Sequence, residues 1–145
     1  SFPHELFQLQ RRQYYRVTPP IGSRAIFRCG GKTYKDCTLH NISAGGMLFS
    51  TSEKPALLRQ QPDIADILIV VRNAQSRTGY TESKTILPQI KAGKIVHDYK
   101  NQDLQHWYFG VTFDELSLHE RESLSRYVMA RQQQLLRQGI KFQPV

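Results

Sequence analysis

The sequence predicts a small all-β domain, a barrel or a sandwich, closed by one C-terminal helix. Three observations predict it. About six short β-prone runs follow one another at close spacing. Gly30-Gly31 lies between two such runs in the manner of a two-residue hairpin turn. At Ser117 the pattern changes from strand-like to helical. The chain has 145 residues, 39% of them hydrophobic, enough for one domain to bury a core of its own.

The elements are expected in this order. After Pro19-Pro20 and a Gly22-Ser23 break, Arg24 to Cys29 and Lys32 to Ile42 flank the Gly30-Gly31 turn, and Met47 to Ser50 make a short third strand beyond Gly45-Gly46. Pro55 and Pro62 punctuate a loop. Ile64 to Arg72 (IADILIVVR) is rich in the β-branched residues that suit a buried strand. Asn73 to Ser83 is a polar connection, Thr85 to Tyr99 offers β-prone stretches around Pro88 and Gly93, and Trp107 to Phe113 alternates like a half-buried strand. Ser117-Leu118-His119-Glu120 is a capping box, in which the Ser117 hydroxyl accepts from the Glu120 N–H. Leu124, Tyr127, Val128 and Leu135 line one side of the helix that follows. Arg121, Arg126, Arg131 and Arg137 occupy much of the rest, and Gly139 supplies a stop. The expected layout is an arginine-bearing linker or switch loop over 1–17, the β-domain over 18–116 and its helix over 117–139. The chain opens on Ser1 rather than Met, so an upstream domain is expected before it.

Charge narrows the partners. Twenty Lys and Arg against 12 Asp and Glu give +8, which favours nucleic acid, nucleotides or an acidic protein or lipid surface. Cys29 and Cys37 are the only cysteines. Across a two-residue turn Cys29 faces Lys32 and Cys37 faces Arg24, so the thiols are not opposed and are expected to stay reduced. No apolar run approaches the roughly 20 residues of a membrane-spanning helix, and no secretion signal is apparent, so a cytoplasmic protein is expected.

Catalytic motifs are hard to find. Gly30-Gly31-Lys32-Thr33 ends like a phosphate-binding P-loop, but Ile26 stands where that motif needs a glycine. His4, His40, His97, His106 and His119 include no pair at metal-ligand spacing, and the cysteines form no CxxC. No serine sits in GxSxG. No enzyme and no metal are expected.

Two stretches remain. Gln10-Arg11-Arg12-Gln13-Tyr14-Tyr15-Arg16 gathers three guanidinium groups around two aromatic rings. Arg12 and Arg16, four apart, share a face in either a strand or a helix, and a planar guanidinium can fork onto a phosphate or onto the O6/N7 edge of guanine. In Asn41-Ile42-Ser43-Ala44-Gly45-Gly46, short polar side chains suit a turn, while Gly45 and Gly46 permit positive φ and a close approach of backbone N–H groups to a ligand. Alone, the first pattern is most often a solvated surface and the second an ordinary turn. Their joint occurrence is far more informative.

Together they resemble the PilZ family of bacterial receptors for cyclic di-GMP, whose signature is RxxxR followed by [D/N]xSxxG. Arg12 to Arg16 and Asn41 to Gly46 match every defined position, Gly110-Val111-Thr112-Phe113 is similar to the family's late GVxF strand, and the likeness covers nearly the whole chain. It implies a six-stranded antiparallel β-barrel with a C-terminal helix. It also implies that Arg12 and Arg16 grip guanine edges and phosphates, with Asn41, Ser43, Gly45 and Gly46 on the barrel side. Arg11, just before the motif, resembles members that take an intercalated cyclic di-GMP dimer. His97 is a further candidate contact from a later strand, while Tyr14 and Tyr15 are expected to seat the loop and Trp107 to pack. The Phe7 to Arg12 approach is similar to the linker of two-domain YcgR-type flagellar brake proteins, which implies motility control, flagellar motor or switch proteins as partners and a place near the basal body. The alternatives are a basic barrel that binds single-stranded nucleic acid through Tyr14, Tyr15 or Trp107, and a ligand-free PilZ adaptor.

Overall fold

A computed structural model describes residues 16–53, 56–72, 84–101 and 105–139. Its strands are β1 (Arg24–Cys29), β2 (Lys32–Ile42), β3 (Gly46–Thr51), β4 (Asp63–Arg72), β5 (Lys84–Ile86), β6 (Ile90–Asn101) and β7 (His106–Asp114). Among the described residues two helices accompany them, α1 (Ala56–Gln60) and α2 (Leu118–Arg137). The strands are hydrogen-bonded in the order β1-β2-β3-β7-β6-β4-β5, every pair antiparallel, and β1 also pairs with β4. That last pairing closes a barrel. β5 and β6 meet the same edge of β4, at Val70–Arg72 and Asp63–Ile67 respectively, so they are two pieces of one barrel wall interrupted at Pro88. Proline cannot donate to the ladder, and Leu87 N–H to Ile69 O (3.0 Å) holds the break in line. Seven strand segments therefore build the six-stranded barrel that the family resemblance implies.

The Gly30-Gly31 hairpin forms as the sequence predicts. Both glycines have positive φ (55° and 83°), as a primed hairpin turn demands, and Cys29 pairs with Lys32. Farther from the turn the pairing slips by one residue between Ala25 and Phe27, so Cys37 faces Ala25, not Arg24 as expected. A β-bulge placed an extra residue on β2. Both thiols are buried and free all the same. Burial, the main cause, pushes Cys37 up to about 12.

Alternation fixes which face is core. Phe27, Tyr34, Phe49 and Phe109 fill the barrel, joined by Ile42, Ile64, Ile67, Ile69, Ile90 and Val17, all at most 2% exposed. Phe27 stacks on Tyr34 (centroids 5.2 Å apart) and Phe49 on Phe109 (5.4 Å). Trp107 is half-buried against this core, with Lys100 Nζ 5.3 Å from its ring centroid, which fits the packing role expected of it. Between the prolines at 55 and 62, read as loop from sequence, the short helix α1 buries Leu58. The connection expected over 73–83 lies outside the described residues.

Helix α2 starts where the capping box predicts: Ser117 Oγ accepts from Glu120 N–H at 3.1 Å. Gly139, with φ 81°, follows its end, and its N–H donates to Leu136 O. Leu124 and Val128 join the core and Leu135 is buried, while Tyr127 is half-buried. Among the described residues no helix is long and apolar enough to cross a membrane.

Candidate ligand site

The β2–β3 turn is built by Ser43. Its hydroxyl accepts from Gly45 N–H (3.2 Å) and Gly46 N–H (3.1 Å), and its own N–H donates to Gly46 O (2.9 Å). Both glycine N–H groups thus point at Ser43, so the serine acts first as the clasp of the turn. Gly46 has no positive φ; a Cβ there would lie 2.2 Å from Val111 O, so β7 passes too close for any side chain. The conformational freedom expected of Gly46 gives way to a packing requirement. Gly45 O accepts from Phe113 N–H at 2.9 Å, tying the turn to β7.

Next to the turn, Val17 N–H donates to Ile42 O (2.9 Å) and Ile42 N–H to Val17 O (3.0 Å). This antiparallel bridge brings exposed Arg16 level with buried Ser43. From the other side, Arg131 Nε donates to Thr18 O at 2.9 Å, so α2 holds the same short segment. Arg11, Arg12, Tyr14 and Tyr15 lie outside the described residues. The structure therefore brings Arg16 and the second motif together.

Strand register then lays out the outer wall. Asn41 pairs with Leu48, Leu48 with Gly110 and Gly110 with His97, so these four form one transverse row. Their chain neighbours Ile42, Phe49, Phe109 and Val111 are buried, so the row faces outward. Asn41 Oδ1 is buried without a hydrogen-bond partner. His97 is exposed and folds over Gly110, where an added Cβ would lie 3.4 Å from its own Cβ. At about 4.8 Å per strand, His97 and Asn41 are some 14 Å apart at the backbone, on one face but not in contact. His97 also lines a cleft of about 340 Å³ beside α1, across which Arg59 Nε meets Asp98 Oδ2 at 2.7 Å.

Two rows flank it, and of their residues the sequence reading had assigned only Gly46 to the site. Toward the turn run Gly46, Thr112 and Lys94, and beside them lies a second cleft, about 310 Å³, lined by Ala44, Gly45, Thr112, Phe113, Leu116 and Arg121. On the far side stand Ser50, Tyr108 and Tyr99, the two tyrosine rings parallel within 3° and 5.0 Å apart. His40 joins this row through Ser50 Oγ (2.6 Å) and Tyr108 (5.0 Å between centroids). Burial, and next the nearby His106, push the His40 imidazole below its ordinary range. Among the described residues no cluster of His, Cys, Asp or Glu could hold a metal ion.

Comparison with known proteins agrees with this fold. Three solved structures share the fold at TM-scores near 0.6. The motility inhibitor MotI (DgrA) of Bacillus subtilis is 16% identical with TM-score 0.59, covering 86% of this chain and 53% of its own. Apo MrkH of K. pneumonia is 11% identical with TM-score 0.62, at 86% and 50% coverage. The PilZ domain of Escherichia coli YcgR, solved with c-di-GMP, is 17% identical with TM-score 0.57, at 92% and 100%. The chain thus spans about half the length of MotI and MrkH and the whole of the YcgR domain. No curated protein sequence matched. The PilZ domain model matches residues 10–130, from before the arginine pair through most of α2, and with the closed barrel this establishes that the chain belongs to the PilZ domain family.

Proposed function

We propose that this chain is a cyclic di-GMP receptor domain, which clamps the dinucleotide between the arginine segment and the outer barrel wall. The observation that carries the reading is the Val17–Ile42 bridge, which sets Arg16 beside the Ser43 turn and the partnerless amide oxygen of Asn41. A buried acceptor without a donor is costly, and a guanine N–H is a donor of the right kind. Arg16, and Arg12 four residues before it in the sequence, supply planar cations for phosphate or for the guanine O6/N7 edge. Ser43 and Gly46 act by holding the turn's shape, and Gly45 and Gly46 leave the wall free of side chains where a ligand approaches. His97 stands farther along the wall as an outer contact.

The arginines at 11, 12 and 16 repel one another until an anion neutralises them. Fixing such a segment costs roughly 1–2 kcal/mol per residue. Charge-assisted bonds of about 1.5–3 kcal/mol each offset that. Arg11 provides charge and a stacking plane for a second dinucleotide, giving two ligands per chain. The domain would act as a switch rather than a catalyst, in the cytoplasm. Likeness to MotI, an inhibitor of motility, and the resemblance of the Phe7 to Arg12 approach to flagellar brake proteins support motility as its output, through a flagellar partner. Calorimetric titration tests the site: the unaltered chain should bind cyclic di-GMP at micromolar concentration with two ligands per chain, and Arg12→Ala and Arg16→Ala should each weaken binding at least about tenfold. Undiminished binding by either variant would refute the clamp.

A further inference from the structure

We infer that the anion-binding surface extends beyond both motifs to two further cations, Arg121 of α2 and Lys94 of β6, one on each side of Thr112. This extension rests on the cyclic di-GMP reading above. Thr112 is exposed, pairs with Gly46 on one side and with Lys94 on the other, and also lines the 310 Å³ cleft that Arg121 borders. Gly45 of the turn lines the same cleft. The wall beside the second motif is therefore continuous with a cleft lined by apolar Ala44, Phe113 and Leu116 and by one cation, Arg121.

Both cations are exposed, and neither forms an ion pair or a side-chain hydrogen bond among the described residues. Three basic side chains elsewhere on the domain are instead committed: Arg28 to Asp66, Lys32 to Glu53 and Arg59 to Asp98. Lys94 lies two strands from Gly46, about 10 Å at the backbone. A flexible lysine stem covers much of that distance and delivers a point charge, whereas Arg121 offers a planar fork. Neither residue belongs to a recognisable motif. Their placement follows from β3 and β6 both flanking β7, and from the start of α2 returning beside the turn. The chemistry they suit is a phosphate of the dinucleotide that projects beyond the reach of Arg12 and Arg16.

The test is titration of cyclic di-GMP, at one fixed low salt concentration, into the unaltered chain and into Arg121→Gln, Lys94→Gln and Lys35→Gln. Lys35 is exposed on β2, away from Thr112, and removes the same charge. Affinity should fall about tenfold for each of the first two, the factor for one charge-assisted contact, and stay within about twofold for the third. Equal losses in all three variants would reduce the effect to net charge and overturn the inference, as would no loss at Arg121 and Lys94. Absence of binding by the unaltered chain would instead overturn the receptor reading, and the extension with it.

Discussion

Single residues carry jobs that motif letters do not distinguish. Ser43 and Gly46 occupy signature positions, yet one clasps two N–H groups of its own turn and the other clears the path of Val111 O. Asn41 alone keeps an acceptor without a partner on the candidate wall. Outside that wall, the Tyr127 hydroxyl is also buried without a partner, and burial pushes it up to about 12. Tyr127→Phe removes an unsatisfied polar group and keeps the ring, so it should raise stability by on the order of 1 kcal/mol in denaturant unfolding. A loss of similar size would mean that the hydroxyl does useful work. His40 gives a pH prediction. Its imidazole is held below its ordinary 6.5, so the unfolded chain binds the proton more readily than the folded one. The associated stability is complete above about pH 6.5 and is lost as pH falls toward the lowered folded value. Between about pH 7 and 5, His40→Gln should therefore lose less melting temperature than the unaltered chain. Parallel curves would contradict this.

At the scale of elements, local patterns were legible and long-range register was not. Alternation located the main strands, Gly30-Gly31 fixed the hairpin, and Ser117 and Gly139 bracketed α2, because each is a short-range effect of sterics or capping. The one-residue slip that sets Cys37 against Ala25 is a bulge, with no signal in composition. The five residues of α1 are too few for a period to show. The break at Pro88 was visible as a proline, but its reading as one interrupted wall needed β4 as template. For the site, Asn41, Ser43 and Gly46 were readable as a motif beside Arg12 and Arg16. Lys94, Thr112 and Arg121 were not, since only the order β3-β7-β6 brings them together. Gly46→Ala belongs here: its Cβ would strike Val111 O and part β3 from β7, at a cost of about 3 kcal/mol or more. Denaturation should show that loss with no ligand present. A fully stable variant would return Gly46 to a ligand-contact role.

For the whole molecule, one short segment joins three parts. Val17 is fully buried and bridges Ile42 just before the Ser43 turn, while Thr18 accepts from Arg131 on α2. Whatever settles the arginines before Val17 therefore bears on the barrel wall and the C-terminal helix together. In the proposed receptor this would be the physical route from ligand to surface. The excess of positive charge, +8, would also attract any polyanion. Specific recognition and general attraction separate by salt, because exposed charges are screened and a clamped, hydrogen-bonded nucleotide is screened less. The most direct measurement is calorimetric titration of the chain with cyclic di-GMP and with a short single-stranded oligonucleotide at low and at physiological salt. The account predicts micromolar or tighter binding of cyclic di-GMP that persists at the higher salt, with weak, salt-lost binding of the oligonucleotide. Preference for the oligonucleotide, or no heat from cyclic di-GMP at either salt, would contradict it.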